Sequence, residues 1–384
     1  MTCVAASEAG VRPGPPPWDL WIVMPAAALS ALGLVLVYSS SAVWAARQHQ
    51  DAAHFLRLQA GWLALGALGV PLVARLPRRL LARRGGWPLA AACLLCALVL
   101  VPSIGHWVGG ARRWLVVGGV GCQPAEAAKL AVVLFLAASM ARQVPAAAAA
   151  GQRPMLWGAA LAVQLPVLLI LLEPDLGTVV VIELVTSAML YTAGLRPRTL
   201  VVLLLTATPC LYHLVVGTPF RLRRMISFID PWAHRSTSGY QVTEALISLG
   251  SGGMAGRGLG QGRQKLFFLP EAHTDFVFAS LGEELGLAGV VVVIGLFAAL
   301  VGRGLQLAAR AGDWFDRFLA VGLSAMLGLP AALNAAVAMG LMPTKGLPLP
   351  FVSYGGSHIL GCMTSVGLLL GVARRTAEAR HLGA

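Results

Sequence analysis

Charged residues are scarce in this chain of 384 residues, where Asp, Glu, Lys and Arg together make up 12%. Soluble proteins carry about 25%. Lysine is scarcer still, with three residues (Lys129, Lys265 and Lys345) among the 29 basic ones. Hydrophobic residues account for 57%. This balance excludes a soluble globular protein, and at about 20 apolar residues per span it predicts an integral membrane protein with about ten crossings.

Cysteine is also sparse, with six scattered residues. Cys93 and Cys96 form the one CxxC pair, but they lie inside an apolar run and have no second pair of ligands. A disulfide framework and a zinc site are therefore excluded, and we expect buried, inert cysteines.

The net charge of +13 raises the question of nucleic-acid binding. No basic stripe with interleaved aromatic residues is present, and the arginines fall mainly between apolar runs. This distribution is typical of loops that face the anionic inner leaflet of a membrane, so no nucleic-acid partner is expected.

Apolar runs predict an all-α polytopic fold in one membrane domain over residues 1–384. Most of the connecting arginines fall on one side if both termini are cytoplasmic. The predicted spans are 20–43, 56–74, 88–104, 125–141, 156–173, 176–194, 199–216, 281–302, 317–340 and 356–373.

One connection differs from the others. Residues 217–280 form a large loop, extracytoplasmic in this topology, and a loop of this length is more typical of a functional element than of a connector. The absence of a visible internal repeat disfavours transporters built from inverted repeats.

Acidic side chains gather at the outer ends of several predicted spans. A carboxylate near a membrane face needs water, a cation or a substrate, which makes each a candidate functional group. Glu183 lies inside a span, and its structural alternative is an ion pair with a cation such as Lys129. The candidates are Glu126, Glu173, Asp175, Glu271, Asp275, Glu283 and Glu284.

The segment 266–286 is the densest in such groups. Pro270 favours a helix start, and a helix continuing from there would stack Asp275, Ala279 and Glu283 on one face. Partial burial would tune such a carboxylate for proton transfer. Helix capping and ion pairing among Glu271, His273, Asp275 and Lys265 is an equally good interpretation at this point.

Three further segments carry unusual residues. The glycine-rich stretch 250–262 lacks nucleotide-binding motifs and predicts a flexible turn that brings backbone close to a neighbour or substrate. Arg221, Arg223 and Arg224 are suited either to phosphates or to lipid headgroups. Prolines and glycines interrupt 340–358 around Lys345, which predicts a re-entrant loop that faces substrate, with a structural turn as the alternative.

With these segments the chain resembles the SEDS family (shape, elongation, division, sporulation), and within it the FtsW branch. TKG at 344–346 favours the division and sporulation branch over the elongation branch, RodA. The matching stretches are GARRWLVVGGVGCQPAEAAKL (110–130), EPDLGT (173–178), FRLRRMISFIDPW (220–232), GYQ (239–241), 248–289 with LPEAHTDF, and LMPTKGLPLPFVSYGGS (341–357).

The resemblance implies a peptidoglycan glycosyltransferase that polymerises lipid II at the outer face of the cytoplasmic membrane. The family's essential aspartate corresponds to Asp275, as general base. Undecaprenyl pyrophosphate is the implied leaving group, and the candidate cations for it are Arg112, Arg113, Lys129, Arg224, Lys265 and Lys345. Other candidate substrate-binding residues are Glu126, Glu271, His273, Ser353, Gly355, Gly356 and Ser357.

The implied partners are a class B penicillin-binding protein and other membrane proteins of the divisome, and a divalent cation, Mg²⁺ or Mn²⁺, could assist. The chain departs from the family pattern at His358, Pro330, Glu244, Ala245 and Gly262. A lipid II flippase and a non-enzymatic divisome scaffold remain as alternatives, and Glu271 or Glu283 could share the role of Asp275.

Overall fold

A computed structural model describes residues 18–108, 110–199, 201–202, 205, 212, 216–264 and 273–382. The fold is α-helical. The helices are α1 (Leu20–His49), α2 (His54–Ala74), α3 (Arg78–Arg83), α4 (Gly86–Leu100), α5 (Pro124–Ala149), α6 (Trp157–Leu172), α7 (Leu176–Thr192), α8 (Pro219–Ile229), α9 (Tyr240–Gly252), α10 (Val277–Arg310), α11 (Trp314–Ala338) and α12 (Gly356–Leu382).

Nine of the ten predicted spans are confirmed as helices. Six of them are long and apolar enough to cross a membrane, namely α1, α2, α5, α10, α11 and α12. Helices α4, α6 and α7 are apolar but shorter. The predicted span 199–216 lies almost entirely outside the described residues. The chain is therefore a multi-pass membrane protein.

Helix α11 lies at the centre of the bundle, where it packs against α5, α7 and α10. It is buried over most of its length, with Phe315, Phe318 and Leu323 inaccessible to solvent. Helix α12 packs along α2, and α1 packs along α10. Because lipid covers the outer helices, their outward leucines, such as Leu68 and Leu72 of α2, are exposed without cost.

A small antiparallel sheet was not expected from the sequence. Strands β1 (Gly105–Val108), β2 (Ala111–Val117) and β3 (Val120–Cys122) pair in the order β1-β2-β3 between α4 and α5. Gly110, Gly118 and Gly119 have positive φ and form the turns. Two Gly-Gly dipeptides between runs of aromatic and β-branched residues are a hairpin signal that could have revealed this sheet.

The large loop contains two helices, α8 and α9, followed by a glycine-rich turn over 253–264. The expected stacking of Asp275, Ala279 and Glu283 on one helix is wrong, because α10 begins at Val277. Asp275 lies in the turn just before that helix. The helix start expected at Pro270 falls outside the described residues.

The two ends of the bundle differ. We call the end that carries Asp275 the site end, and the other the opposite end. At the opposite end Arg303 of α10 pairs with Asp19 before α1 at 2.7 Å, and Arg375 of α12 pairs with Asp316 of α11 at 2.6 Å. The first and last described helices therefore have their outer termini at the same end.

Candidate active site

Asp275 is half-buried and lies against the loop that joins α11 to α12. A Cβ atom added to Gly346 would come within 3.0 Å of the Asp275 Oδ2, so the carboxylate rests directly on this glycine. Asn334 of α11 donates from Nδ2 to the carbonyl of Asp275 at 2.8 Å and to the carbonyl of Leu347 at 2.6 Å. The buried side-chain amide of Asn334 thus fixes the turn at Asp275 relative to the loop that joins α11 to α12.

The same loop holds the residues before Asp275. The Ser353 hydroxyl donates to the carbonyl of Thr274 at 2.5 Å and accepts from the amide of Leu349 at 2.8 Å. The amide of Tyr354 donates to the carbonyl of His273 at 3.0 Å. Ser353 therefore has a positioning role in this structure, which presents the Asp275 carboxylate at a fixed place.

A second buried amide side chain supports this loop from α2. Gln59 Nε2 donates to the carbonyl of Ser353 at 3.1 Å, and its Oε1 accepts from the amide of Gly355 at 3.2 Å. Gly356 packs so closely on Trp62 that an added Cβ would lie 2.5 Å from its ring. Gly355 and Gly356 permit this close approach, and the side chains of Gln59 and Trp62 hold the loop in place.

Arg224 of α8 is the cation associated with Asp275. It donates to the carbonyl of Thr344 at 3.3 Å. Burial lowers the pKa of Arg224, the charge of Asp275 opposes that change, and the charge of Arg113 adds to it. Asp275, Arg224 and Arg113 therefore lie within one electrostatic neighbourhood, although they are far apart in the sequence.

Lys345 brings a further positive charge to the same loop, one residue before Gly346. It is half-buried, and burial lowers the pKa of its ammonium group. A desolvated cation in this position has much to gain from an anionic ligand.

The two arginines of β2 differ in their surroundings. Arg113 donates from Nε to the carbonyl of Glu173 at 2.9 Å and from Nη2 to the carbonyl of Pro174 at 2.7 Å. Arg112 instead lies over the ring of Trp107, 5.7 Å from its centroid. Side chains at successive strand positions point to opposite faces. Arg113 is therefore the arginine of β2 that contacts the turn between α6 and α7 and lies near Arg224.

Glu173 in that turn is 1% exposed, and its carboxylate lies beside the thiol of Cys96. Burial and the negative charge of Asp175 raise the pKa of Glu173 to about 8, with Arg113 opposing. Asp175, in contrast, caps α7 by accepting from the amide of Thr178 at 3.1 Å.

Glu126 and Lys129 of α5 are buried and paired with each other, at 2.8 Å between Nζ and Oε1. His358 of α12 adds its Nδ1 at 3.1 Å from the Glu126 Oε2. The suggested ion pair between Lys129 and Glu183 is therefore wrong. This cluster joins α5 to α12 beneath the loop, and Ser357 adds to the joint by accepting from the amide of Gln123 at 3.0 Å.

Glu283 and Glu284 of α10 bind the glycine-rich turn. Glu283 is fully buried and accepts from the amide of Arg263 at 2.8 Å and the hydroxyl of Ser248 at 3.2 Å. Glu284 accepts from the amide of Gly260 at 3.1 Å. The turn expected in this stretch is present, and its backbone closely approaches a neighbouring element, here α10 at Glu284 and Gly286. Both carboxylates hold the turn in place.

His273 lies in a group of aromatic rings next to Asp275. Its ring centroid is 5.3 Å from that of Phe55, 6.0 Å from that of Trp44 and 6.0 Å from that of Tyr354. These rings fix the direction in which the chain enters the turn at Asp275.

The structure thus brings Arg224 near Asp275, with Arg113 near Arg224 and Lys345 in the loop that Asp275 contacts. It places Glu126, Lys129 and Ser357 in supporting positions. Lys265 and Glu271 lie outside the described residues. Sequence reasoning missed Asn334 and Gln59. A polar amide inside an apolar span is a functional candidate by default, and that signal could have found both.

No group of three or more His, Cys, Asp or Glu side chains in the described parts of the chain is arranged to hold a metal ion. Within the described ranges, Asp275 is the carboxylate that faces this site, whereas Mg²⁺ and Mn²⁺ prefer several oxygen ligands.

Comparison with known proteins identifies close relatives. The chain is 40% identical over 361 residues to the probable peptidoglycan glycosyltransferase FtsW of Geobacter metallireducens, covering 93% of this chain and 95% of that protein. It is 40% identical to the protein of the same name from Coxiella burnetii, covering 94% and 97%.

Solved structures show the same fold. A chain from a peptidoglycan synthase complex superposes with a TM-score of 0.75 at 32% identity, covering 94% of this chain and 98% of that one. The rod shape determining protein RodA of Thermus thermophilus superposes with a TM-score of 0.67 at 32% identity, covering 93% and 97%. The family model of cell cycle proteins that includes FtsW, RodA and SpoVE matches residues 19–378. The chain belongs to this family.

Proposed function

We propose that this protein is a peptidoglycan glycosyltransferase that polymerises lipid II into glycan strands. The observation that carries the proposal is the half-buried Asp275 carboxylate on Gly346, with the charge of Arg224 acting on it and Arg113 near Arg224. A base beside several cations suits a reaction in which a hydroxyl attacks and a pyrophosphate leaves. The names of the relatives in Geobacter and Coxiella support the same activity.

In the proposed reaction Asp275 accepts the proton of the 4-hydroxyl of the acceptor GlcNAc. That oxygen forms a bond to the anomeric carbon of the growing strand, and the bond from this carbon to the pyrophosphate oxygen breaks. The proton on Asp275 is then lost to water. A positioned general base contributes about 10²–10⁴-fold to the rate.

The leaving group departs as undecaprenyl pyrophosphate, which keeps the bonding electrons and needs stabilisation by cations rather than a proton. Arg113, Arg224 and Lys345 are the groups we assign to it. Arg112 lies over Trp107 and Lys129 is paired with Glu126, so we assign them weaker and indirect roles. No step is assigned to a divalent cation.

The proposed setting is the outer face of the cytoplasmic membrane, with both termini cytoplasmic, during septal wall synthesis. The similarity to FtsW proteins supports the septal role. The similarity to a chain in a peptidoglycan synthase complex supports a partner enzyme, for which we propose a class B penicillin-binding protein.

The test is polymerisation of purified lipid II by the reconstituted protein together with a cognate class B partner. We expect glycan strands from the wild type and a loss of at least about 10²-fold in Asp275→Asn. The melting temperature of the variant, measured in the same detergent, serves as the folding control.

Strands from both proteins at equal rates would remove Asp275 from the mechanism. Strands from neither, with the activating partner shown to bind, would favour the flippase. Transport of lipid II between leaflets in the same vesicles then separates a flippase from a scaffold, which would move none.

A further inference from the structure

A cavity of about 390 Å³ opens at the opposite end of the bundle, far from Asp275. It lies between the start of α1 and the last turns of α10 and α12. Leu20, Leu307 and Leu370 form apolar walls. Nothing in the proposed reaction uses this cavity.

Its charged lining is strongly basic. Four arginines line it, Arg303, Arg310, Arg374 and Arg380, against the one carboxylate of Asp19. Arg303 is neutralised by Asp19, with 2.8 Å from Nε to Oδ2, and Arg374 is 3.4 Å from Glu378. Arg310 and Arg380 form no ion pair with any residue that the structure describes. Two positive charges therefore remain available to a ligand.

A buried hydroxyl group in the lining also indicates a ligand with acceptor oxygens. Thr376 lines the cavity and is 7% exposed, yet its Oγ1 has no hydrogen-bond partner within the described ranges. A buried hydroxyl without a partner destabilises the folded state. An acceptor oxygen of a bound ligand would remove that cost.

The rim carries two tryptophans. Trp18 is 38% exposed and Trp21 is 69% exposed, and both line the cavity. Tryptophan is enriched where a membrane meets water, at the level of the lipid headgroups. The lining thus combines an interfacial rim, arginines and apolar helix surface, which matches a phospholipid better than a soluble phosphate.

We propose that this cavity is a binding site for an acidic membrane phospholipid. Arg310 and Arg380 contact the headgroup phosphate, Thr376 donates a hydrogen bond to it, and the acyl chains follow Leu307 and Leu370 along the helices. Basic pockets between membrane helices are known to recognise anionic headgroups in this way.

The test measures binding of phosphatidylglycerol to the delipidated full-length protein in detergent by native mass spectrometry. The double variant Arg310→Gln with Arg380→Gln removes both available charges. At about 1 kcal/mol for each basic residue, affinity should fall about 30-fold. Thr376→Val keeps the volume of the side chain and should weaken binding several-fold.

Arg79→Gln with Arg83→Gln is the matched control. Both arginines are exposed on α3, carry the same charge and do not line the cavity. We expect its affinity to equal that of the wild type. Equal loss in the control, or undiminished binding in the cavity variants, would overturn the proposal.

Two further ligands distinguish the source of the phosphate. Phosphatidylcholine, a zwitterionic lipid, should bind at least ten times more weakly than phosphatidylglycerol. Soluble glycerol phosphate should not displace the lipid at millimolar concentration. Displacement would instead assign the cavity to a soluble phosphate compound and contradict the lipid site.

Discussion

At the scale of single residues, the carboxylates near the site end have different environments. Asp275 is half-buried and accessible, whereas Glu283 is fully buried and accepts hydrogen bonds from the glycine-rich turn. We therefore infer that Asp275 is the base and that Glu283 holds the turn in place.

Glu283→Gln tests this division. Loss of the charge weakens hydrogen bonds worth about 1.5–3 kcal/mol each to a charged acceptor, so the melting temperature should fall. The polymerisation rate should fall less than in Asp275→Asn. The decrease of kcat/KM towards low pH that a general base produces should also remain. Glu244→Gln is a suitable control, because Glu244 is a buried carboxylate paired with Arg235. A stable Glu283→Gln protein without activity would instead make Glu283 the base.

Glu173 gives the protein a pH-dependent stability. Its pKa of about 8 in the folded state lies above the ordinary value of about 4.3 in the unfolded chain. The folded state therefore retains a proton that the unfolded state has lost. The contribution of Glu173 is complete below the ordinary carboxyl pKa and is lost as pH rises through about 8.

We expect the melting temperature to decrease from pH 5 to pH 9 and Glu173→Gln to flatten this decrease. Differential scanning fluorimetry in detergent across that range provides the measurement. Asp175→Asn should act differently, because the Asp175 side chain caps α7, and loss of this cap should lower the melting temperature without flattening its decrease with pH. A Glu173→Gln profile parallel to that of the wild type would contradict the assignment.

At the scale of elements, the kink in α10 determines how the glycine-rich turn meets the helix. Gly286 has φ 64° and ψ −166°, a region reserved for glycine. A Cβ atom there would lie 2.3 Å from the amide nitrogen of Gly256. The backbones of the turn and of the helix therefore touch, and no side chain fits between them.

Gly286→Ala should destabilise the protein by about 1–3 kcal/mol from the backbone conformation alone, with the clash in addition. Gly295→Ala in the same helix is the matched control, since a Cβ atom there meets nothing within 4 Å. Alanine favours helix over glycine by up to about 1 kcal/mol, so this variant should be neutral or more stable. Equal melting temperatures for the two variants would show that the turn does not pack as described.

At the scale of the whole molecule, the bundle separates two kinds of chemistry. The site end carries Asp275 and the cations around it. The opposite end carries the ion pairs Arg303–Asp19 and Arg375–Asp316 together with the basic cavity. With an even number of spans, both chain termini face the cytoplasm in the proposed topology.

Cysteine labelling tests this orientation. Cys3, Cys122 and Cys210 are first replaced by serine, while the buried Cys93, Cys96 and Cys362 are retained. A membrane-impermeant maleimide should label Ser236→Cys in intact cells. It should label Arg79→Cys after the membrane is permeabilised and not before. The reverse pattern would invert the topology and remove the site from the outer face.

The sequence by itself determined the membrane-spanning character and nine of the helices, and its resemblance to a known family supplied the candidate base. Apolar runs, turn-forming glycines and short motifs are local properties, and each can be read within one segment of chain. The small sheet could also have been predicted from its Gly-Gly dipeptides.

Only the tertiary structure decided which residues meet. Asn334 contacts Asp275 across 59 positions, and His358 contacts Glu126 across 232. The packing of α11 and α12 fixes these pairs, and no local periodicity encodes it. The start of α10 at Val277 was decided in the same way, because the loop at 344–355 holds residues 273–275 in a turn. Contacts across the bundle thus outweigh local helix preference at the residue proposed as the base.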